Sequence, residues 1–255
     1  MDQFGFETVF KMRAVRTFGC VLALLASLVL SVKSAQENLK SITFLTNYVF
    51  IGRHAPFFVG KEKGFYREAG FDINILPATG SAFVITALEG SQADYGMVEA
   101  ASLVRAIAQG ASVKAFGVYM DQSTSGLASL EPYPTLESLT GKTVAASLTD
   151  SARVILPSVL AEGQLDESTF DWLTADPGVY FSLLLSGRAD LVTAGSDSDV
   201  PTLQRIVEPR GRTVHFSSFA DWGYDVYGYF LVAHSDRLRL GQEEVRAFAT
   251  ATATA

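Results

Sequence analysis

Cysteine is all but absent: Cys20 is the only one in 255 residues. It sits where a removable leader is expected, so the remaining chain has no disulfide, no thiolate nucleophile and no cysteine metal site. Histidine is scarce too, and none of His54, His215 and His234 pairs with another at zinc-ligand spacing. Basic side chains form no stripe in a chain of net charge -7, which argues against nucleic acid and against an anionic membrane surface. No Gly-x-Ser-x-Gly elbow occurs. Gly141, Lys142 and Thr143 imitate the end of a phosphate loop, but Leu136 stands where the first glycine is needed, and the segment runs from turn to strand.

What is present is apolar material. Hydrophobic residues make up 48% and charged residues 18%, enough for a sizeable core and too apolar for long disorder. The length suits one large α/β domain or two lobes of about 100 residues each. Residues 1–35 read as a secretory signal peptide: Lys11, Arg13 and Arg16 precede the uncharged run Phe18 to Leu30, and small residues follow at Ser31, Ser34 and Ala35. That run is short for a bilayer span of roughly 20 residues, although a membrane anchor is the competing reading. Either Met1 or Met12 serves as a start, and export to the periplasm or another extracytoplasmic space is the expectation.

Two series of strands alternating with short helices follow. Residues 41–45, 71–76, 93–98 and 113–119 read as strands, with helices between them ended by Gly70, Gly90 and Gly110. Beyond Pro132 and Pro134, strands are expected at 143–146, 170–174, 189–194, 213–216 and 228–233, again with helices between. Extended crossings near 120–128 and 217–228 join the series. The expectation is an α/β protein of two lobes, each a βα sheet, with residues 41–125 plus 220–255 in one lobe and 128–218 in the other. A cleft between hinged lobes is a favoured ligand position. Residues 247–255 read as an uncapped helix, so further closing helices are expected beyond them.

Several pieces carry a family resemblance. They are Ile42 to Asn47 (ITFLTN), His54 to Val59 (HAPFFV), Lys63 to Asp72 (KGFYREAGFD), Gly80-Ser81, Gly90 to Gly96 (GSQADYG), Leu139 to Val144 (LTGKTV), Gly187 to Asp190 (GRAD) and Gly223 to Gly228 (GYDVYG). In order and spacing they resemble the NMT1/THI5-like family of periplasmic binding proteins, related to thiamine-pyrimidine synthase and to sulfonate and nitrate binders. The resemblance implies a type II periplasmic-binding-protein fold. It also implies a monomeric solute-binding subunit of an ABC importer, with a small-molecule cargo, an inner-membrane permease as partner, and no cofactor. A thiamine pyrimidine precursor or related heterocycle is the expected solute. The alternatives are a sulfonate, nitrate, taurine or riboflavin.

Candidate ligand contacts follow from position. His54 falls on the carboxyl side of the first strand, where α/β sheets bind ligands, and the resemblance places its counterpart in the pocket; ordering of the turn before Pro56 is the other reading. Asn47 and Tyr48 end the same strand and suit the edge and face of a heterocycle. Gly80 and Ser81 begin a helix and either hold a ligand oxygen or merely cap it. Thr149, Asp150 or Ser151 repeats that choice in the second series. Glu99 either meets a ligand amine or caps the helix after it; Gln122, at the first crossing, is a comparable candidate. Trp222, Asp225 and Tyr227 at the return crossing either cover the cleft or pack at the hinge. A eukaryotic branch of the family is enzymatic, using iron, pyridoxal phosphate and its own histidine, with a cysteine-rich run before the return strand. The matching stretch Gly223 to Gly228 contains no cysteine, so no catalytic residues are expected.

Overall fold

The structure is a computed structural model that describes residues 39–255. The proposed leader and its cleavage site lie outside them. Among the described residues, ten strands form two five-stranded sheets. The first contains β1 (Lys40–Leu45), β2 (Phe71–Leu76), β3 (Tyr95–Glu99), β4 (Val113–Met120) and β10 (Tyr229–His234), in the order β2-β1-β3-β10-β4. The second contains β5 (Ser125–Ser129), β6 (Thr143–Ala146), β7 (Asp171–Thr174), β8 (Leu191–Gly195) and β9 (His215–Ser218), in the order β7-β6-β8-β5-β9. The chain passes from first to second sheet between β4 and β5, and returns between β9 and β10.

Neither sheet is purely parallel. β1 pairs parallel with β3, and β6 with β7 and β8, as βα connections require. β10 runs antiparallel between β3 and β4, and β5 antiparallel between β8 and β9. In each sheet the strand reached directly from a crossing is the one that runs against its neighbours.

Side-chain alternation places a core on both faces of each sheet. In the first sheet, Phe44, Tyr95, Met97 and Leu231 face one way, towards α1 (Ala55–Glu62), α2 (Phe65–Glu68) and the final helix, Gln242–Thr254. Leu45, Val98 and Val232 face the other way, towards α3 (Ser81–Glu89) and α4 (Ala100–Ala108). In the second sheet, Leu127, Val144 and Leu191 pack with α5 (Ala152–Glu162), whereas Ala128, Ala145 and Val192 pack with α6 (Tyr180–Leu185) and α7 (Asp199–Val207). The remaining helices are α8 (Ser235–Leu240) and α9 (Gln242–Thr254). Gly96 lets α3 approach, because a Cβ there would come within 2.4 Å of the Val84 side chain. The result is two helix–sheet–helix layers whose parallel strands end at a common seam.

Candidate ligand-binding site

A cavity of about 50 Å³ lies at that seam. Its walls come from the segments after β1 (Asn47, Tyr48, Arg53), the start of α3 (Gly80, Ser81) and the turn into α5 (Asp150, Ser151, Ala152). The end of β8 and the turn beyond it (Thr193, Gly195, Asp199), the start of β5 (Ser125, Gly126), Phe219 and Tyr229 complete it.

On the first-sheet side, Asn47 is held from behind by His54. The imidazole is fully buried, and burial followed by the charge of Arg53 lowers its pKa to about 3, so it is neutral. Its Nδ1 accepts the Ile51 backbone N–H at 3.3 Å, which puts the proton on Nε2 to donate to Asn47 Oδ1 at 3.1 Å. The Asn47 carboxamide therefore has its oxygen engaged by His54. His54 is not a wall of the cavity; it positions a residue that is. Tyr48 faces Tyr180 with ring centroids 6.1 Å apart, and burial, then Asp199 and Asp150, raise its phenol well above the ordinary value.

Gly80 and Ser81 do more than cap α3. Gly80 has φ +153° and ψ 163°, a region essentially reserved for glycine, and a Cβ there would sit 2.0 Å from the carbonyl oxygen of Thr149. The Ser81 hydroxyl accepts the Glu99 backbone N–H at 3.0 Å and the Ser151 hydroxyl at 3.0 Å. Thr79 and Thr149 join hydroxyls at 3.1 Å, the Ala82 N–H donates to the Thr149 carbonyl at 3.2 Å, and Ser147 donates to the Thr79 carbonyl. This row of short polar groups stitches the first-sheet half to the second along one side of the cavity.

Asp150 is a hydrogen-bonded carboxylate of the cavity wall. One oxygen accepts the Ala152 N–H at 2.9 Å; the other accepts Thr193 Oγ1 at 2.7 Å and the Tyr180 hydroxyl at 3.2 Å. Burial raises its pKa against those hydrogen bonds and the charge of Arg153. Asp199 accepts the Gly195 N–H at 2.8 Å and is likewise raised by burial, opposed by that bond and by Arg53. Arg53 reaches across the seam from the other side, its Nη2 lying 3.0 Å from Asp197 and 3.9 Å from Asp199. Burial alone would lower its pKa, but Tyr229, Asp197 and Asp199 more than offset this, and the guanidinium stays charged.

Of the residues singled out from sequence, Asn47, Tyr48, Gly80, Ser81 and Asp150 line the cavity. Thr149 belongs to the seam beside it. Glu99 is buried as the cap of α4: one oxygen accepts the Ala101 N–H at 2.8 Å and the other the Tyr224 hydroxyl at 2.8 Å. Gln122 packs its carbonyl on Gly228 at the crossings. Trp222 donates from Nε1 to the Pro134 carbonyl at 3.3 Å and rests on Phe219, which does line the cavity. Asp225 is exposed, and Tyr227, also exposed, leans on Phe230. Sequence reasoning pointed to Ser151 beside Asp150 but missed Arg53, Ser125, Thr193, Asp199 and Tyr229. Only the polar run after β8, Ser196 to Asp199, offered a signal for one of them.

The NMT1/THI5 like family model matches residues 52–255. The chain belongs to the NMT1/THI5-like family. A curated relative, 4-amino-5-hydroxymethyl-2-methylpyrimidine phosphate synthase of Schizosaccharomyces pombe, is 30% identical over 90 residues, which is 35% of this chain and 26% of the relative. The match thus spans about a quarter of that protein. Among solved structures, a protein of Bordetella bronchiseptica RB50 superposes with a TM-score of 0.69 at 17% identity, over 83% of this chain and 69% of that one. The periplasmic aliphatic sulphonate binding protein SsuA of Escherichia coli gives 0.57 at 16% identity, over 84% and 68%. A ligand binding component of an ABC-type import system from Staphylococcus aureus gives 0.61 at 11% identity, over 84% and 72%. These likenesses identify the two-lobed periplasmic-binding-protein fold.

The iron and pyridoxal phosphate of the family's enzymatic branch do not fit the residues present. Among the described residues no three His, Cys, Asp or Glu side chains converge as metal ligands, and no lysine lines the cavity.

Proposed function

We infer that the protein captures a small amine-bearing solute in the seam cavity, outside the cytoplasm, and presents it to an ABC permease without altering it. The observation that carries this is the enclosure of a polar cavity by strand ends from both sheets, with hydrogen bonds across the seam. Residues 41–125 with 220–255, and 128–218, serve as the two lobes, and the crossings as the hinge. His54, with both ring nitrogens engaged, supports binding over catalysis.

The solute class follows from the lining. Asp150 and Asp199 supply two carboxylates, and Tyr48 an aromatic face, which suits an amine or amino-heterocycle such as a thiamine pyrimidine precursor. About 50 Å³ is far below the 300–1,000 Å³ of pockets for drug-sized ligands, so a flavin fits poorly and even an aminopyrimidine requires the lobes to part further. Thermal-shift measurements on the purified protein with 4-amino-5-hydroxymethyl-2-methylpyrimidine, riboflavin, taurine and nitrate test this. Stabilisation by the aminopyrimidine alone is expected; stabilisation by taurine or nitrate, or steady conversion of any of them, would overturn it.

A further inference from the structure

The Asn47 carboxamide is held at one end and idle at the other. His54 engages its oxygen at 3.1 Å, whereas its Nδ2 donates to no protein atom among the described residues. The orientation is dictated. Ile51 gives its backbone N–H to His54 Nδ1, so the neutral imidazole carries its proton on Nε2. Turning the amide over would set the Asn47 nitrogen against that Nε2–H, two donors face to face with no acceptor between them. His54 is completely buried and Asn47 only 7% exposed, so neither has room to swing out into solvent. Yet Asn47 Nδ2 is not sealed: it stays open to water, on a residue that forms part of the cavity wall. An amide donor left without a partner once solute displaces that water is costly. A solute that fills the cavity is therefore favoured when it supplies the missing acceptor.

We propose that Asn47, held in one orientation by His54, turns its Nδ2 hydrogens on the bound solute and selects cargo that presents a hydrogen-bond acceptor to them. The inference rests on the capture reading above and narrows its cargo: beside the amine, the solute carries an unprotonated ring nitrogen or a carbonyl oxygen. His54 is a positioning residue in this scheme. It meets no solute, and acts by deciding that the cavity meets the donor end of the carboxamide. An asparagine free to rotate would offer either end and discriminate little.

Isothermal titration of the purified full chain against two matched pairs of amines tests the inference. 4-Aminopyrimidine is set against aniline, and 3-aminopropanamide against butylamine; in each pair only the first member carries an acceptor beside the amine. In at least one pair the first member should bind at least about tenfold more tightly than its mate. Asn47→Asp keeps the shape and the bond from His54 but turns an acceptor on the solute, and should abolish or reverse that preference. His54→Leu frees the carboxamide to rotate and should shrink the preference, whereas His54→Gln, whose amide nitrogen can stand in for Nε2, should keep it. Circular dichroism checks that each variant folds. Equal binding within both pairs, a preference that survives Asn47→Asp or folded His54→Leu, or one lost as fully in folded His54→Gln as in His54→Leu would overturn the inference alone. No binding by any of the four probes would overturn capture at this cavity and the inference with it.

Discussion

Glu99 and Gly80 show how single positions set the behaviour of the seam. Glu99 is fully buried, and burial raises its pKa from 4.5 to about 7, against the hydrogen bonds from Tyr224 and the α4 amides. Between those two values the folded chain holds a proton that the unfolded chain has released. Stability therefore falls as pH rises through this window and stays lower above it, by up to roughly 3 kcal/mol. Glu99→Gln removes the titration while its amide can still meet Tyr224 and Ala101. Its melting temperature should exceed the parent's at pH 8, and the difference should shrink toward pH 5, read by thermal denaturation across that range. Gly80 carries a different constraint. Gly80→Ala forces a side chain into a backbone region reserved for glycine and against Thr149, so the seam cannot close as it does here. A fall in solute affinity of roughly 10- to 100-fold with unchanged far-ultraviolet circular dichroism is expected.

At the scale of elements, α9 is the keystone of the first sheet's outer layer. Phe248 stacks on Tyr95 at 4.2 Å and on Tyr66 at 5.5 Å, and meets Phe44 at 6.0 Å. Phe248→Ala should cost about 3–5 kcal/mol, measured by urea unfolding, since the cavity left is walled by rigid rings from three elements. Most elements were legible because period and punctuation agree: β2 alternates buried and exposed as Phe71-Asp-Ile-Asn-Ile-Leu76 suggests, and Gly70 turns into it with φ +86°. β5 was not. Ser125-Gly-Leu-Ala-Ser129 has no β-branched residue and reads as a crossing, yet β8 and β9 enclose it. Its glycine is there because a Cβ at Gly126 would meet the Ser217 carbonyl at 2.4 Å, a neighbour far away in sequence. The antiparallel sense of β5 and β10 was hidden for the same reason: it depends on which crossing feeds each strand.

Across the whole molecule, the cavity residues divide by how they come together. Asn47, Tyr48, Gly80, Ser81 and Asp150 stand at strand ends and helix starts, so local pattern was enough to single them out. Arg53 with Asp199, and Tyr48 beside Tyr180, meet only because two separately built sheets face each other, and no window of sequence encodes that. On the capture reading, that meeting forms and parts with the solute. Spin labels at Lys61→Cys and Glu162→Cys, in a Cys20→Ser background, should report a shorter and narrower distance distribution once a stabilising solute is added; an unchanged distribution would argue against closure. The placement of β5 and β10 bears on how such a swing is transmitted. Each enters its sheet one position inside the margin and is laced to a neighbour on both sides, so torque arriving through the crossings is shared between two ladders and never peels a lone edge strand. The halves can then pivot as stiff plates, with bending confined to the short links between them.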